Sequence, residues 1–469
     1  MNPIFSRRAA LQTTSAGFGY LAFSGLATMA AEKAAGPLAP KKSHFPSKAK
    51  HVIFLCMDGA PSHVDTFDYK PRLGTDTGKT FSKARQPFAK LLGSPWKFQK
   101  HGQSGLAISE LYPNLAKHAD EMCIINSMYT DVPAHPQAFM MMHTGSFQFK
   151  RPSLGAWTVY GLGTDNDNVP GFITIDPARN NGGPTNYASA FLPAYYQGTP
   201  ITGLARFARP GGGGFGRPGG SQASVSNIKN PQQTTDQQRA QLDFIQSLNK
   251  SQLRTEQPNP MIEGAIESYE LAFRMQADLP KLMDLSNETR ETQALYGIGT
   301  NETDSFGKQC LLARKFVQAG VRFVEIRSGG WDHHRALKES LERTTTATDL
   351  PIAGLLADLK RTGLLEETLV VWGGEFGRTP YAQGDDGRDH NHKGFTTWMA
   401  GGGVKGGTTV GKTDEYGYEA IDNRVHIHDW HATILHLLGL DHEKLTYRHA
   451  GRDFRLTDVK GNLVKEVLG

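Results

Sequence analysis

Residues 51–59 read HVIFLCMDG, an apolar run that ends in a carboxylate followed by glycine. A continuous apolar run, without the alternation of a half-exposed strand, is typical of a central parallel strand buried on both faces. The carboxylate of Asp58 then falls at the carboxyl end of that strand, where sheets of this kind open into a crevice that binds ligands. The stretch therefore predicts a parallel sheet with an ionisable group at its functional edge.

Further strands and helices alternate along the rest of the chain. The predicted strands are EMCIINSMYT (121–130), VRFVEIRSG (321–329), TLVVWGGEFG (368–377) and TTWMAGGG (396–403). Helical patterns occur at 136–145, which is rich in Met, and at 305–320 and 349–367. Alternation at this spacing predicts one α/β domain over residues 51–469, with a mostly parallel sheet flanked by helices.

The N-terminal residues do not belong to this pattern. Residues 1–31 contain a Ser-Arg-Arg motif, a mildly apolar run rich in Gly and Ala, and small residues at the end. They resemble a twin-arginine signal peptide, which predicts export to the periplasm or the extracellular space. Residues 32–50 are predicted to be a linker. No later segment is apolar enough to cross a bilayer, so no stable membrane span is expected after signal cleavage.

Two segments interrupt the domain. Residues 204–227 are rich in Gly with three interspersed Arg, and they are interpreted as a surface loop or as a basic lip over an anionic substrate. Residues 233–296 are polar and helical in character and predict an inserted helical cap.

The net charge of +5 gives no indication of a nucleic-acid surface. Three Cys are too few for a disulfide framework and are expected to be buried thiols.

Ionisable residues follow several of the predicted strands. Asp58 closes the first predicted strand, Asp332 and His334 follow the third in SGGWDHH, and Glu375 ends the fourth in WGGEFGRTP. Asp389, His390 and His392 are predicted to lie in the loop GRDHNHKG before the fifth strand. A single Asp after a strand is more often a helix cap, but this many at one sheet edge favours a site. Carboxylates mixed with imidazoles are typical ligands of a hydrolytic metal centre. A divalent ion is therefore predicted, with Zn²⁺, Mn²⁺, Ca²⁺ and Mg²⁺ all open.

A serine hydrolase is the competing interpretation. It requires a Gly-x-Ser-x-Gly elbow between a strand and a helix, and the sequence contains none. Ser62 and His63 are sequence neighbours, which is a poor arrangement for a nucleophile and its base.

Several motifs together resemble a known family. They run from MDGAPSHVDTFDYKP through ARKFVQAGVRFVEIRSGGWDHH and VVWGGEFGRTP to the block that begins GRDHNHKGFTTWMAGGG and includes HIHDWHATILHLLGL. They resemble the secreted family known as domain of unknown function fifteen-zero-one, over nearly the whole chain after residue 45. That family is distantly similar to sulfatases and alkaline phosphatases. The resemblance implies their α/β fold, with one or two metal ions at the strand ends.

The resemblance also implies residue roles. Asp58 matches the first metal-binding Asp of the superfamily, and Asp332 with His334 matches an Asp-x-His group that serves a second metal or the leaving group. Three further residues fall where the superfamily has its late Asp-His metal ligands: Glu375, Asp389 and His390.

The sequence departs from the sulfatase pattern at the nucleophile. AHPQAFMMMHTG carries His135 where sulfatases have Cys or Ser. Three mechanisms stay open: attack by metal-bound water with His135 as ligand or acid/base, a phospho-His135 intermediate, or attack by Thr130. His135 as a simple helix cap is the structural alternative. Arg378 is expected either to hold an anionic group or to pair with a carboxylate.

These observations predict an exported metal-dependent hydrolase of sulfate or phosphate esters, with a small-molecule or polysaccharide-derived substrate. The alternative is a non-catalytic surface or carbohydrate-binding protein of the same fold that retains a structural metal. The substrate and the oligomeric state stay open. Three histidines near a predicted helix start are expected to be mainly structural: His426, His428 and His431.

Overall fold

The structure is a computed structural model. It describes residues 36–204, 223–225, 228, 230, 232–255 and 260–469. The predicted signal peptide, the first part of the linker and most of the Gly-rich segment at 204–227 lie outside the described residues.

A nine-stranded sheet forms the centre of the described chain, in the order β12-β4-β11-β8-β1-β7-β5-β6, with β15 also paired to β4. Its strands are β1 His51–Asp58, β4 Met122–Tyr129, β5 Phe172–Ile175, β6 Thr199–Ile201, β7 Phe323–Gly329, β8 Thr368–Gly373, β11 Phe395–Ala400, β12 Thr408–Val410 and β15 Val425–His426. The predicted mostly parallel α/β sheet is confirmed.

The first strand is the middle of this sheet because its apolar residues need cover on both faces. Every residue of β1 is buried. It pairs in parallel with β7 on one side and with β8 on the other. The exception to the parallel pattern is β11, which is antiparallel to both β8 and β4. Two reversals leave β4 parallel to β1, so β1, β4, β7 and β8 all end at the same sheet edge.

Eight further strands of the described chain form four two-stranded sheets. They are β2 Phe98–His101 with β3 Leu106–Ser109, β9 Gly377–Gln383 with β10 Gly387–Asn391, β13 Lys412–Thr413 with β14 Ala420–Asp422, and β16 Tyr447–His449 with β17 Arg452–Phe454.

The prediction of one strand over 368–377 is wrong at its C-terminal end. It ends at Gly373, and the hairpin of β9 and β10 begins at Gly377. The chain passes against the end of β1 here, where a Cβ on Gly374 would lie 2.8 Å from the carbonyl oxygen of Met57. The short strands β5 and β6 were not predicted because three or four residues carry too little periodicity to be recognised.

The described residues contain ten α-helices. They are α1 His63–Thr66, α2 Pro71–Thr75, α3 His135–Thr144, α4 Leu154–Leu162, α5 Thr235–Thr255, α6 Pro260–Met283, α7 Arg290–Leu295, α8 Asp304–Gln318, α9 Leu337–Arg361 and α10 Ile427–Leu437. Short 3₁₀ helices occur at Leu115–Glu121, Gly183–Tyr187, Ala194–Tyr196, Leu364–Glu366 and Lys465–Val467.

Helices pack against the sheet, as predicted. Contacts join α8 to β7 and α4 to β5. The helix predicted over 349–367 begins earlier, at Leu337. The segment 233–296 is helical as expected, forming α5 to α7, and α6 buries Leu271, Met275 and Leu279 against the core. None of the helices in the described part of the chain has the length and hydrophobicity that a bilayer-spanning helix needs.

Candidate functional site

Four side chains from three separate segments of the chain meet beyond the ends of β4 and β7. They are His135, Asp332, His334 and His390, and one ligand atom from each lies within 4.8 Å of the others. The Oδ1 atom of Asp332 lies 2.8 Å from His334 Nε2, 3.2 Å from His135 Nε2 and 3.4 Å from His390 Nε2. We call these four residues the His–Asp cluster.

The local sequence explains how each member arrives there. His135 is the first residue of α3, and Pro136 directly after it suits the first turn of a helix. Asp332 and His334 lie in the turn after β7. The prediction that His390 lies in a loop is wrong, because it lies on β10, which pairs with β9 as a hairpin. The hairpin of β9 and β10 therefore brings His390 back over the turn that follows β7.

The outer nitrogen of each imidazole contacts a protein oxygen that can only accept a hydrogen bond. The acceptors are Glu375 Oε1 for His135 (2.5 Å), Gln383 Oε1 for His334, and the Pro133 carbonyl oxygen for His390 (2.7 Å). Each Nδ1 therefore carries the hydrogen, which leaves the Nε2 lone pairs facing one another. Fixing the tautomer through an outer hydrogen bond is the usual arrangement of metal-ligating histidines.

This arrangement fits a bound cation. His334 Nε2 and His390 Nε2 are 2.9 Å apart, so two lone pairs repel unless a proton or a metal ion lies between them. His135 Nε2 is buried and lies 3.2 Å from Asp332 Oδ1. Three imidazoles and one carboxylate are a suitable donor set for Zn²⁺ or Mn²⁺. The cluster is also open, because the side chain of Asp332 is 46% exposed.

Contacts between charged groups change the pKa values of the cluster residues. Burial is the largest single influence on His135 and lowers its pKa, but the hydrogen bonds to Asp332 and Glu375 outweigh it together and raise that pKa to about 9. For Asp332, burial opposes ionisation, yet contacts with His135, His390 and Arg378 hold its pKa well below the usual range. Burial raises the pKa of Glu375. At neutral pH the metal-free His135 therefore carries a proton on Nε2 as well as on Nδ1, and a bound metal ion would replace the Nε2 proton.

Arg378 lies behind Asp332 and is fully buried. Its Nη2 is 2.5 Å from Asp332 Oδ1 and also donates to the Gly59 carbonyl oxygen, whereas Nε and Nη1 donate to the carbonyl oxygens of Ala60 and Arg388. Burial lowers the pKa of Arg378. Of the two expectations for this residue, the structure shows the pairing with a neighbouring carboxylate.

Asp58 lies next to the His–Asp cluster but is not one of its members. Its Oδ2 accepts hydrogen bonds from the Arg327 guanidinium, including one of 2.5 Å from Nε, and its Oδ1 accepts one of 2.7 Å from Asn181 Nδ2. The following residue, Gly59, donates its N–H to Glu375. Asp58 as a first metal ligand stays a prediction, and both of its oxygens are shared with protein donors here.

Three other predicted site residues lie beside the cluster. Asp389 Oδ1 accepts the N–H of His390 at 2.8 Å. His392 accepts the N–H of Thr130 on its carbonyl oxygen at 2.9 Å, and burial lowers the pKa of its imidazole. Thr130 is 3% exposed, and its hydroxyl has no hydrogen-bond partner among the described residues. The structure does not bring the side chains of these three into the cluster.

Some contacts were missed from the sequence. Arg327 could have been noticed as a cation in an otherwise apolar strand, but Asn181, Gln383 and the Pro133 carbonyl have no recognisable signal.

The serine hydrolase alternative finds no support in the geometry. Ser62 Oγ donates to Asp65 at 2.5 Å, and His63 Nε2 donates to the Gly417 carbonyl oxygen at 2.7 Å. Neither contact joins the serine to the histidine as nucleophile and base.

His426 caps α10, as expected for a helix start, and forms a capping box with Asp429.

Comparisons with known proteins complete the description of the site. Several solved structures are similar at low identity. The Ps i-CgsB protein in complex with k-i-k-neocarrahexaose is 12% identical over 83% of this chain and 72% of that chain, with a TM-score of 0.37. The PsFucS1 sulfatase from Pseudoalteromonas sp. is 14% identical over 84% and 68%, with a TM-score of 0.35. The alkaline phosphatase from the Antarctic bacterium TAB5 is 12% identical over 83% and 98%, with a TM-score of 0.32.

No curated protein matches the chain. A family model described as "Protein of unknown function (DUF1501)" matches residues 49–468, which is almost the whole described domain. The chain therefore belongs to this family, as the resemblance of its motifs indicated.

Proposed function

We propose that this protein is an exported metal-dependent hydrolase of sulfate or phosphate esters. One observation carries the proposal: three Nε2 atoms and one carboxylate oxygen converge at an open site, with every Nδ1 held by an acceptor. Structural metal sites close their coordination with protein ligands, whereas catalytic sites keep a position accessible to water and substrate. The exposure of Asp332 supports a catalytic site.

The motifs that resemble the sulfatase and alkaline phosphatase superfamily support the reaction class. A bound divalent cation would supply Lewis acidity and a water molecule of lowered pKa. His135, Asp332, His334 and His390 would hold it. Glu375 keeps the His135 imidazole in the tautomer that offers Nε2, and Arg378 keeps Asp332 ionised and oriented.

The surroundings of Thr130 and His135 distinguish the candidate nucleophiles. The hydroxyl of Thr130 is buried and has no base within hydrogen-bond distance among the described residues. His135 directs its Nε2 to Asp332 and the other ligand atoms rather than away from them. We therefore propose His135 as a metal ligand and water as the nucleophile, without a covalent intermediate on the protein.

Export is proposed from the twin-arginine-like residues 1–31. A periplasmic or extracellular location would give the enzyme access to polysaccharide-derived sulfate or phosphate esters. We propose these as the substrate class.

The first experiment measures metal content and turnover together. The mature chain is treated with chelator and assayed on aryl sulfate and aryl phosphate esters, with and without Zn²⁺, Mn²⁺, Mg²⁺ or Ca²⁺. His334→Ala is expected to lose both metal and turnover, whereas the matched variant His392→Ala, outside the cluster, keeps its metal. Failure of the wild-type chain to bind any of these ions would overturn the proposal.

The second candidate function is a non-catalytic binding protein that retains the metal. The observation that favours it is the absence of Cys or Ser at the position of His135. Stoichiometric metal binding without turnover on either ester class would support this alternative over the hydrolase.

Asp58 is tested separately. Asp58→Asn preserves the shape of the strand end but removes the charge, so a ligand role predicts a steep loss of bound metal. Retention of metal, with unchanged thermal stabilisation by added metal, would limit Asp58 to its contacts with Arg327 and Asn181.

A further inference from the structure

A cavity of about 250 Å³ lies at the end of α3 that is far from the His–Asp cluster. Its walls come mainly from the end of α3, the residues that follow it up to Arg151, and the chain from β17 to residue 460, with Asp131 and His428 completing them. Four cationic side chains line it: Arg151, Arg452, Arg455 and Lys460. We call it the arginine pocket.

The acidic residues of the pocket already have partners. Asp458 forms an ion pair with Arg452, and Asp131 Oδ2 lies 3.2 Å from His426 Nε2. Arg455 Nη1 lies 3.1 Å from Glu443 Oε1, which is outside the pocket lining.

Two of the four cationic side chains of the pocket therefore have no carboxylate as an ion-pair partner. No acidic group lies within ion-pair distance of Arg151 or Lys460 among the described residues. With four cations and two carboxylates in its walls, the pocket has an excess of positive charge.

Arg151 is held in place by aromatic rings. Its guanidinium carbon lies 4.3 Å from the ring centre of Phe454 and 5.6 Å from that of Phe149. Stacking on a ring face orients the planar guanidinium while its N–H groups stay free at the edges. This geometry suits two parallel hydrogen bonds to a tetrahedral oxyanion. Phe149 is 60% exposed at the same pocket and offers an apolar surface beside the charge.

The pocket lies near the His–Asp cluster. Asp131 lines the pocket and His135 belongs to the cluster, and four residues of extended chain span at most about 14 Å. The ten residues of α3 give a similar length, about 15 Å, from His135 to Thr144, which also lines the pocket.

We propose that the arginine pocket binds a second sulfate or phosphate group of the substrate whose ester is cleaved at the His–Asp cluster. The part about the cleaved ester rests on the proposed function. The part about oxyanion binding rests on the pocket alone. The substrate class is therefore narrowed to molecules with at least two oxyanion groups.

The test of binding needs no catalysis. Inorganic sulfate and inorganic phosphate are titrated by calorimetry into the chelator-treated mature chain. The double variant Arg151→Met, Lys460→Met removes the two unpaired cations and retains most of their apolar side-chain volume. We expect it to bind the tighter of the two anions at least about tenfold more weakly, since hydrogen bonds to charged groups are lost. Arg151→Lys is expected to recover part of the affinity.

The control double variant Lys338→Met, Arg343→Met removes the same net charge from the exposed side of α9 and should bind the anion as the wild-type chain does. Equal affinity in the wild-type chain and the pocket variant would overturn the proposal, and so would equal weakening by the control pair.

A second measurement separates this inference from the proposed function. In the metal-loaded enzyme, the pocket variant should raise KM for an ester with two oxyanion groups and leave KM for an aryl monoester unchanged. If the enzyme turns over both esters with no such difference, the subsite is refuted and the hydrolase stands. If nothing is turned over but the calorimetric loss occurs, the oxyanion site stands and the hydrolase fails.

Discussion

Replacing Glu375 by Gln tests whether the outer hydrogen bonds of the His–Asp cluster serve a metal. The Glu375 carboxylate is fully buried, accepts a 2.5 Å hydrogen bond from His135 Nδ1, and also accepts the N–H of Gly59. Gln has nearly the same shape and keeps one accepting oxygen, so the local packing is preserved. It lacks the negative charge that makes the imidazole a stronger ligand. Loss of such a partner typically weakens metal binding 10- to 100-fold, or about 1.4 to 2.7 kcal/mol.

The assay is a competition between the protein and a chromophoric chelator for Zn²⁺ or Mn²⁺ at constant pH. Circular dichroism of the metal-free variant checks that it folds. Glu366→Gln is the matched control, because Glu366 is exposed and lies outside the site, and it should leave the affinity unchanged. An affinity for Glu375→Gln within twofold of the wild-type value, in a folded variant, would refute the metal role of this contact.

Three further predictions concern stability and the shape of the site. Gly59→Ala should lower both metal affinity and stability, because the new Cβ would lie 2.5 Å from the backbone nitrogen of Asp332 at a φ of +114°, a strained backbone that costs about 1 to 3 kcal/mol. Asp65→Asn should lower the free energy of unfolding by about 3 to 5 kcal/mol in a denaturant titration, because it leaves the fully buried Arg388 without its ion pair. Burial lowers the pKa of His431 to about 3, so the unfolded chain binds more protons between that value and about 6.5, and stability should fall by about 2 kcal/mol between pH 7 and pH 5. His431→Gln should remove this part of the pH dependence.

Each of these predictions has a contradicting outcome. Gly78→Ala has a similar positive φ but open space around the new Cβ, so equal metal affinity in the two Ala variants would contradict the steric reason given for Gly59. A loss below about 1 kcal/mol for Asp65→Asn, as for an exposed pair, would show that Arg388 finds another partner. An unchanged pH profile in His431→Gln would mean that other groups cause the acid sensitivity.

Local patterns in the sequence determined the central strand and the alternation of strands and helices. The apolar side chains of β1 need to be covered on both faces of the sheet, and that requirement is visible from the eight residues of the strand. The same reasoning placed Asp332 near a strand end, because loops at a parallel sheet edge collect the polar residues that follow each strand. The resemblance of motifs to a known family, confirmed for residues 49–468, added the superfamily expectation.

Tertiary structure decided which of those residues meet. His334 and His390 face each other only because the hairpin of β9 and β10 turns back toward the loop after β7, and no periodic pattern encodes that path. The contacts of Asp58 with Arg327 and Asn181 join segments that are far apart in the chain. Periodicity reports the burial of a residue by its own strand or helix, whereas the partner of a buried charge depends on strand order and loop course. The sequence therefore determined the edge at which chemistry is expected, and the fold alone decided the set of side chains that can hold a metal there.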